Sequence, residues 1–295
     1  MHRKQFIKII TGGAIMKGIQ TLSSFNTFTN QIEQQDYLMP VLFIGHGSPM
    51  NGIENNTFSQ QWAKIAAEIP TPKAVVVISA HWFTKGTYIT EMDAPPTIHD
   101  FGGFPQALFD VQYPAPGNPL LARDTAAMIH STNVELSHDW GLDHGTWTIV
   151  RHMYPLANIP VLQLSIDYTK GAQYHYTLAK EICALRKKGV LIIGSGNMVH
   201  NLRMVAWDKL NEPEFGFDWA IQMNETFKKL ITNNQHQPLI QYNQLGKEAQ
   251  LAIPTPEHYL PLIYTLGLKG EKDPISFFND KAVGGSLTMT SVKFG

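Results

Sequence analysis

Three histidines each follow closely on an apolar, β-branched run. His46 ends Pro40-Val-Leu-Phe-Ile-Gly-His46, His81 ends Ala74-Val-Val-Val-Ile-Ser-Ala-His81, and His200 closes Val190-Leu-Ile-Ile-Gly-Ser-Gly-Asn-Met-Val-His200. Neutral imidazole is the commonest protein metal ligand, so imidazoles delivered to one place from separate strands point to a metal centre. A fourth, His258, sits in Ile253-Pro-Thr-Pro-Glu257-His258-Tyr-Leu-Pro261. The prolines stiffen that turn before any ligand arrives, and tight ligand geometry needs such stiffness. The same residues read as a helix start, with Pro256 at the first helical position and Glu257 complementing the dipole, and the two readings are compatible. His144, between Asp143 and Gly145, is a further candidate, because a neighbouring carboxylate tunes imidazole basicity. The single cysteine, Cys183, permits no intramolecular disulfide and no cysteine-based zinc site, so any metal is held by His, Asp or Glu.

Strands must carry these histidines to a common edge. The pattern predicts strands at 40–45, 74–80, 87–91, 160–166, 190–194 and 286–294, several of them near-continuous Val/Ile/Leu runs of the kind buried on both faces. The last alternates, as an edge or antiparallel strand does. Helical patterns lie between them, at 58–68, 119–130, 172–187 and 216–233. Strands alternating with helices imply an α/β fold with a mostly parallel central sheet, and ligands bind in the crevice outside the carboxyl ends of such strands. Two stretches are read as neither strand nor helix: the Pro/Gly- and aromatic-rich 93–118, and 137–148, which packs two His, two Asp and two Trp into twelve positions. Structured loops of that length are usually functional.

Composition narrows the class. The chain has 295 residues, 43% hydrophobic and 16% charged, with 23 Lys+Arg against 24 Asp+Glu and a net charge of −1. That balance gives no electrostatic footprint for nucleic acid. No apolar run reaches the ~18 residues of a membrane span. Gly194-Ser-Gly196-Asn197-Met-Val199 lacks the third glycine of a dinucleotide fingerprint. There is no Gly-x-Ser-x-Gly elbow, Walker loop or His-Glu-x-x-His. His2, His130, His152, His175 and His236 read as structural or solvated, while His99 and His138 fall in the two special loops without a strand-end position.

Residues 1–36 form an extension ahead of a domain at 37–295. Within it, Arg3-Lys4-Gln5-Phe6-Ile7-Lys8 resembles a twin-arginine export motif with Lys for the second Arg. Two localisations follow: periplasmic if this is an export signal, cytoplasmic if it is only an extension.

Six motifs together resemble one family: Gly45-His46-Gly47-Ser48-Pro49, Ser79-Ala80-His81-Trp82, Asp100-Phe-Gly-Gly-Phe104-Pro105, Gly141-Leu-Asp143-His144-Gly145-Thr-Trp147, Gly194-Ser-Gly196-Asn197-Met-Val-His200-Asn201 and Pro254-Thr-Pro-Glu257-His258-Tyr-Leu-Pro261. Over residues 38–295 the chain is similar to the class III extradiol ring-cleavage dioxygenases, in the branch of 4,5-DOPA dioxygenase extradiol-like proteins. The resemblance implies a three-layer α/β/α domain and a mononuclear non-haem metal. It implies His46, His81 and His258 as metal ligands, with Glu257 an alternative to His258, and His200 as acid/base or fourth ligand. It implies His144 as a proton donor or substrate contact, and Phe101, Phe104 and Trp147 as walls around the ring. The implied reaction opens a DOPA-like catechol with O₂ to a muconic semialdehyde, using Fe(II), and a histidine-rich site also suits Zn(II). Two rival readings use the same histidines: a zinc hydrolase with metal-activated water, which needs no O₂, and a metal-binding protein without turnover.

Overall fold

A computed structural model describes residues 34–210 and 212–295, and a compact unit runs from Asp36 to Gly295. The Arg3-Lys4 motif lies outside the described residues. Six strands form the central sheet: β1 (Val41–Gly45), β2 (Ala74–Ser79), β3 (Val161–Gln163), β4 (Val190–Gly196), β5 (Ile275–Phe278) and β6 (Ser291–Phe294). Their order is β3-β2-β4-β1-β6-β5. The first four run parallel, and β6 joins β1 and β5 antiparallel. The expected α/β fold with a mostly parallel sheet is therefore found. Every residue of β1, β2 and β4 is buried, as the unbroken apolar runs require of strands covered on both faces.

Side-chain alternation assigns the two faces. Leu42 and Ile44, Val75 and Val77, and Leu191 and Ile193 enter one core with Trp62 and Ile65 of α1 (Thr57–Glu68). Trp147 and Val150 of α3 (His144–Met153) join the same core. The opposite face carries Gly194 and Gly196, against which α6 (Leu260–Leu268) packs, with α4 (Ala172–Glu181) beside it. The chain thus has helix, sheet and helix layers. Helices α2 (Pro119–Met128) and α5 (Asp218–Thr232) fall close to their predicted spans. Among the described residues no helix is long and apolar enough to cross a membrane.

Four expectations need correction. Within the stretch 93–118, Gln106–Phe109 forms one helical turn. The run at 160–166 is not one strand: after β3 it breaks, and Ile166–Asp167 pairs instead with Phe83–Thr84. The run at 286–294 divides likewise, Leu287–Thr288 pairing with Ala282–Val283 before β6 enters the main sheet. The loop at 137–148 ends in a helix from His144, because the Asp143 side chain accepts the Thr146 N–H and caps it.

Candidate metal centre and active site

Register explains how distant histidines meet. Gly45 is paired with Gly196, and Ser79 with Ser195, so β1, β2 and β4 end level with one another. His46, His81 and His200 then follow within a few residues of the same edge. His258 arrives from the opposite layer, in the turn before α6. The approach is close: the backbone N–H of Asn197 donates to the His258 carbonyl at 2.9 Å, and a Cβ on Gly196 would stand 2.1 Å from that oxygen. Only glycine fits there. The helix that follows starts at Leu260, later than the sequence reading placed it.

The ring centroids of His46, His81 and His258 lie 5.0–5.3 Å apart. His200 stacks on His258 at 3.6 Å with 9° between planes, and His144 lies 3.8 Å from His81. One ligand atom from each of His46, His81 and His258 falls within 4.8 Å of the others. The structure therefore brings together all five histidines named from sequence. Of the rest, His175 bonds Tyr264, His152 the Asn51 carbonyl, His236 Tyr176, His138 Glu91 and His99 the Val111 carbonyl, all outside the cluster.

Tautomers in the cluster follow from its hydrogen bonds. The Ser195 hydroxyl donates to the Gly145 carbonyl at 2.6 Å, so its oxygen accepts the Nδ1–H of His46 at 2.9 Å. His81 Nδ1 lies 3.3 Å from Asp100 Oδ2, and the charge of that carboxylate favours a proton on Nδ1, although the pair is not aligned as a hydrogen bond. Both Nε2 atoms are left as lone pairs, and they face each other at 3.1 Å. Two lone pairs at that distance repel unless a cation lies against both, and 3.1 Å suits neighbouring ligands each about 2.1 Å from one ion. His258 Nδ1 meets Glu257 Oε1 at 3.3 Å, while the same oxygen accepts the Thr255 hydroxyl. The donor set is suited to a metal ion.

Electrostatics keep these rings ready. Burial, and then the neighbouring histidines, push His46 and His258 well below the ordinary imidazole range. Burial, then His144, lowers His81 to about 3 against the pull of Asp100. Burial lowers His200 to about 4, opposed by Glu257. Neutral rings are the form that binds metal, so the site needs no deprotonation at neutral pH.

Two aspartates hold the cluster, of which the sequence reading assigned a role only to Asp143, as the neighbour of His144. Asp100, in the long loop, accepts the His144 backbone N–H at 2.9 Å and lies 3.0 Å from His144 Nδ1, although that N–H does not point squarely at it. Burial raises Asp100, but the hydrogen bond and charge of His144, helped by His81, hold it below the usual carboxylate value. Asp143, adjacent to His144, has a different task. Fully buried, it accepts Ser79 Oγ at 2.8 Å and Gln163 Nε2 at 2.6 Å, pinning the start of α3 to the ends of β2 and β3. The carboxylate that faces the His144 ring is therefore Asp100.

A cavity of about 860 Å³ opens over the five histidines. Phe104 lines it, but Phe101 and Trp147 do not. This corrects the expectation for those two rings. Trp147 is fully buried behind the site, its indole N–H donating to the Ile98 carbonyl, and Phe101 packs edge-on against His144 and at a tilt against Trp147.

Comparison with known proteins agrees with this geometry. Residues 40–292 match the family described as the catalytic LigB subunit of aromatic ring-opening dioxygenase. The 4,5-DOPA dioxygenase extradiol of Escherichia coli (strain K12) is 48% identical over 263 residues, covering 87% of this chain and 95% of that protein. Its Beta vulgaris namesake is 34% identical over 270 residues, covering 88% and 98%. The crystal structure of uncharacterized protein JW3007 from Escherichia coli K12 matches with a TM-score of 0.76 and 41% identity, over 87% of this chain and 100% of that one. The likeness carried by the six sequence motifs is borne out. With its sheet, its histidine cluster and its matched span all in agreement, this chain belongs to the LigB family of aromatic ring-opening dioxygenases.

Proposed function

We propose that the protein opens a DOPA-like catechol in the extradiol sense, with Fe(II) held by His46, His81 and His258. One observation carries the metal site: the Nε2 atoms of His46 and His81 face each other at 3.1 Å, with His46 Nδ1 bonded to Ser195 and His81 Nδ1 beside the Asp100 carboxylate. The names of the relatives support the extradiol sense and the DOPA-like substrate. Glu257 stands behind His258 on its Nδ1 side, which favours His258 as the third ligand. Fe(II) held there supplies the redox capacity that lets the ring's electrons reach O₂, which Zn(II), lacking redox chemistry, does not.

The remaining steps belong to the protein. His200 lines the cavity, is neutral at neutral pH, and takes a hydroxyl proton from the catechol. Glu257, whose charge favours protonated His200, stabilises the imidazolium once the proton has moved. His144 also lines the cavity and, anchored to Asp100, orients the substrate. Phe104 and the apolar remainder of the wall exclude water from the reacting ring.

The test is anaerobic Fe(II) reconstitution followed by oxygen-electrode measurement over a catechol panel. We expect O₂ uptake matched to a yellow semialdehyde. His200→Gln should keep Fe(II) binding while turnover falls about 10²–10⁴-fold. No O₂ uptake by the iron-loaded protein with any catechol would overturn the proposal.

A further inference from the structure

We propose that the enzyme recognises its substrate's side chain through a cationic ammonium group held by Glu54, and that a side-chain carboxylate meets no lysine or arginine among the described residues of the cavity. The inference rests on the ring-opening reading, which places the catechol hydroxyls at the histidine end.

The cavity, at about 860 Å³, lies toward the top of the 300–1,000 Å³ range of pockets for drug-sized ligands, so it extends well beyond one aromatic ring. Among the described residues lining it there is no lysine or arginine, and the ionisable groups are the five histidines and Glu54. Much of the remaining wall is apolar, including Leu202, Val205, Leu210 and Val283. A carboxylate entering this space would lose water without gaining a cationic partner, whereas an ammonium would meet one carboxylate.

Glu54 stands at the exposed rim, where hydrogen bonds bias its placement before any ligand arrives. Asn56 caps α1, its Oδ1 accepting the Phe58 and Ser59 N–H groups at 3.0 Å each. That orients its Nδ2 the other way, where it donates to Glu54 Oε2 at 3.2 Å and to Asn51 Oδ1 at 2.8 Å. Asn51 Nδ2 in turn donates to the His46 carbonyl at 2.9 Å. The backbone is held as well: the Glu54 N–H donates to the Met50 carbonyl at 3.0 Å, and its own carbonyl accepts Ser59 Oγ at 2.7 Å. A chain of side-chain amides thus ties the carboxylate to the strand end that carries His46. Oε1 is left for the ligand. Holding the rotamer beforehand removes part of the entropic cost of binding.

The experiment compares four catechols on the Fe(II)-loaded enzyme: DOPA, with ammonium and carboxylate; dopamine, with ammonium alone; N-acetyl-DOPA, with carboxylate alone; and ethylcatechol, with neither. Both kcat/KM and anaerobic dissociation constants are measured. Dopamine and DOPA should exceed N-acetyl-DOPA and ethylcatechol by about fivefold, the scale of an ion pair at a wet rim, and salt should narrow the gap. Glu54→Gln should bring the dopamine-to-ethylcatechol ratio toward one, and Glu54→Lys should turn the preference toward N-acetyl-DOPA. Reading ratios cancels any general loss of activity. N-acetyl-DOPA matching DOPA, or a ratio that Glu54→Gln leaves unchanged, would overturn the inference. Absence of turnover with all four would instead overturn ring opening, and the anaerobic binding ratios would still decide the role of Glu54.

Discussion

Consider Asp100→Asn, a change of one atom in a carboxylate that serves two rings. Oδ1 accepts the His144 backbone N–H at 2.9 Å and lies 3.0 Å from His144 Nδ1, while Oδ2 lies 3.3 Å from His81 Nδ1. In the asparagine the amide oxygen must take the Oδ1 place to keep the backbone bond. The NH₂ group then faces His81 Nδ1–H, donor against donor. His81 escapes by moving its proton to Nε2, into the 3.1 Å gap to His46 Nε2, and so loses the lone pair a metal needs. Loss of such an outer partner typically lowers metal affinity 10–100-fold, about 1.4–2.7 kcal/mol. The assay is anaerobic chelator competition with Fe(II), repeated with Zn(II), and circular dichroism to confirm the fold. In a His81→Ala background the further cost of Asp100→Asn should shrink, since the aspartate acts through that ring. Wild-type affinity in a folded Asp100→Asn protein would refute the tautomer argument outright.

Two further outcomes follow from the same contacts. Gly196→Ala places a methyl 2.1 Å from the His258 carbonyl and should cost about 1–3 kcal/mol in urea unfolding, with weaker metal binding, whereas Gly102→Ala, with nothing within 4 Å, should leave stability unchanged. The apoprotein should weaken in acid. His81 and His200 have folded values near 3 and 4, below the 6.5 of an unfolded histidine, so the unfolded chain takes up protons first. Stability is then complete above about pH 6.5 and is lost as pH falls toward 4, on the order of 2 kcal/mol per histidine at pH 5. A urea midpoint that stays flat from pH 7 to 5 would contradict burial of neutral rings.

The sheet and the histidines at its strand ends were legible in the sequence for one reason. Strands buried on both faces must be continuously apolar, so a histidine placed just beyond such a run marks a strand's carboxyl end, as with His46 and His81. His258 was legible because prolines flank it. Asp100 was not, because its partners lie 19 and 44 positions away and no local pattern reports that distance. Asp143 was seen as a neighbour of His144, but its role as a cap depends on where Ser79 and Gln163 end up. Trp147 was misjudged because sequence does not say which side of α3 meets the cavity and which meets the core. The run at 286–294 reads as one strand, yet the Met289 backbone passes so close to Gly45 that a Cβ there would lie 2.6 Å from its carbonyl, and the path jogs between the two ladders.

The position of β1 sets an order of events during synthesis. The strand that delivers His46 lies between β4 and β6, and the N–H of Gly45 donates to Ser291 Oγ, 246 positions later. Pairings over such separations form slowly. While the ribosome is still short of Ser291, β1 has an open edge and the cleft lacks one wall. Metal loading should therefore follow the pairing of β6 with β1, and a quality-control protease acting before that pairing would meet an incomplete cleft.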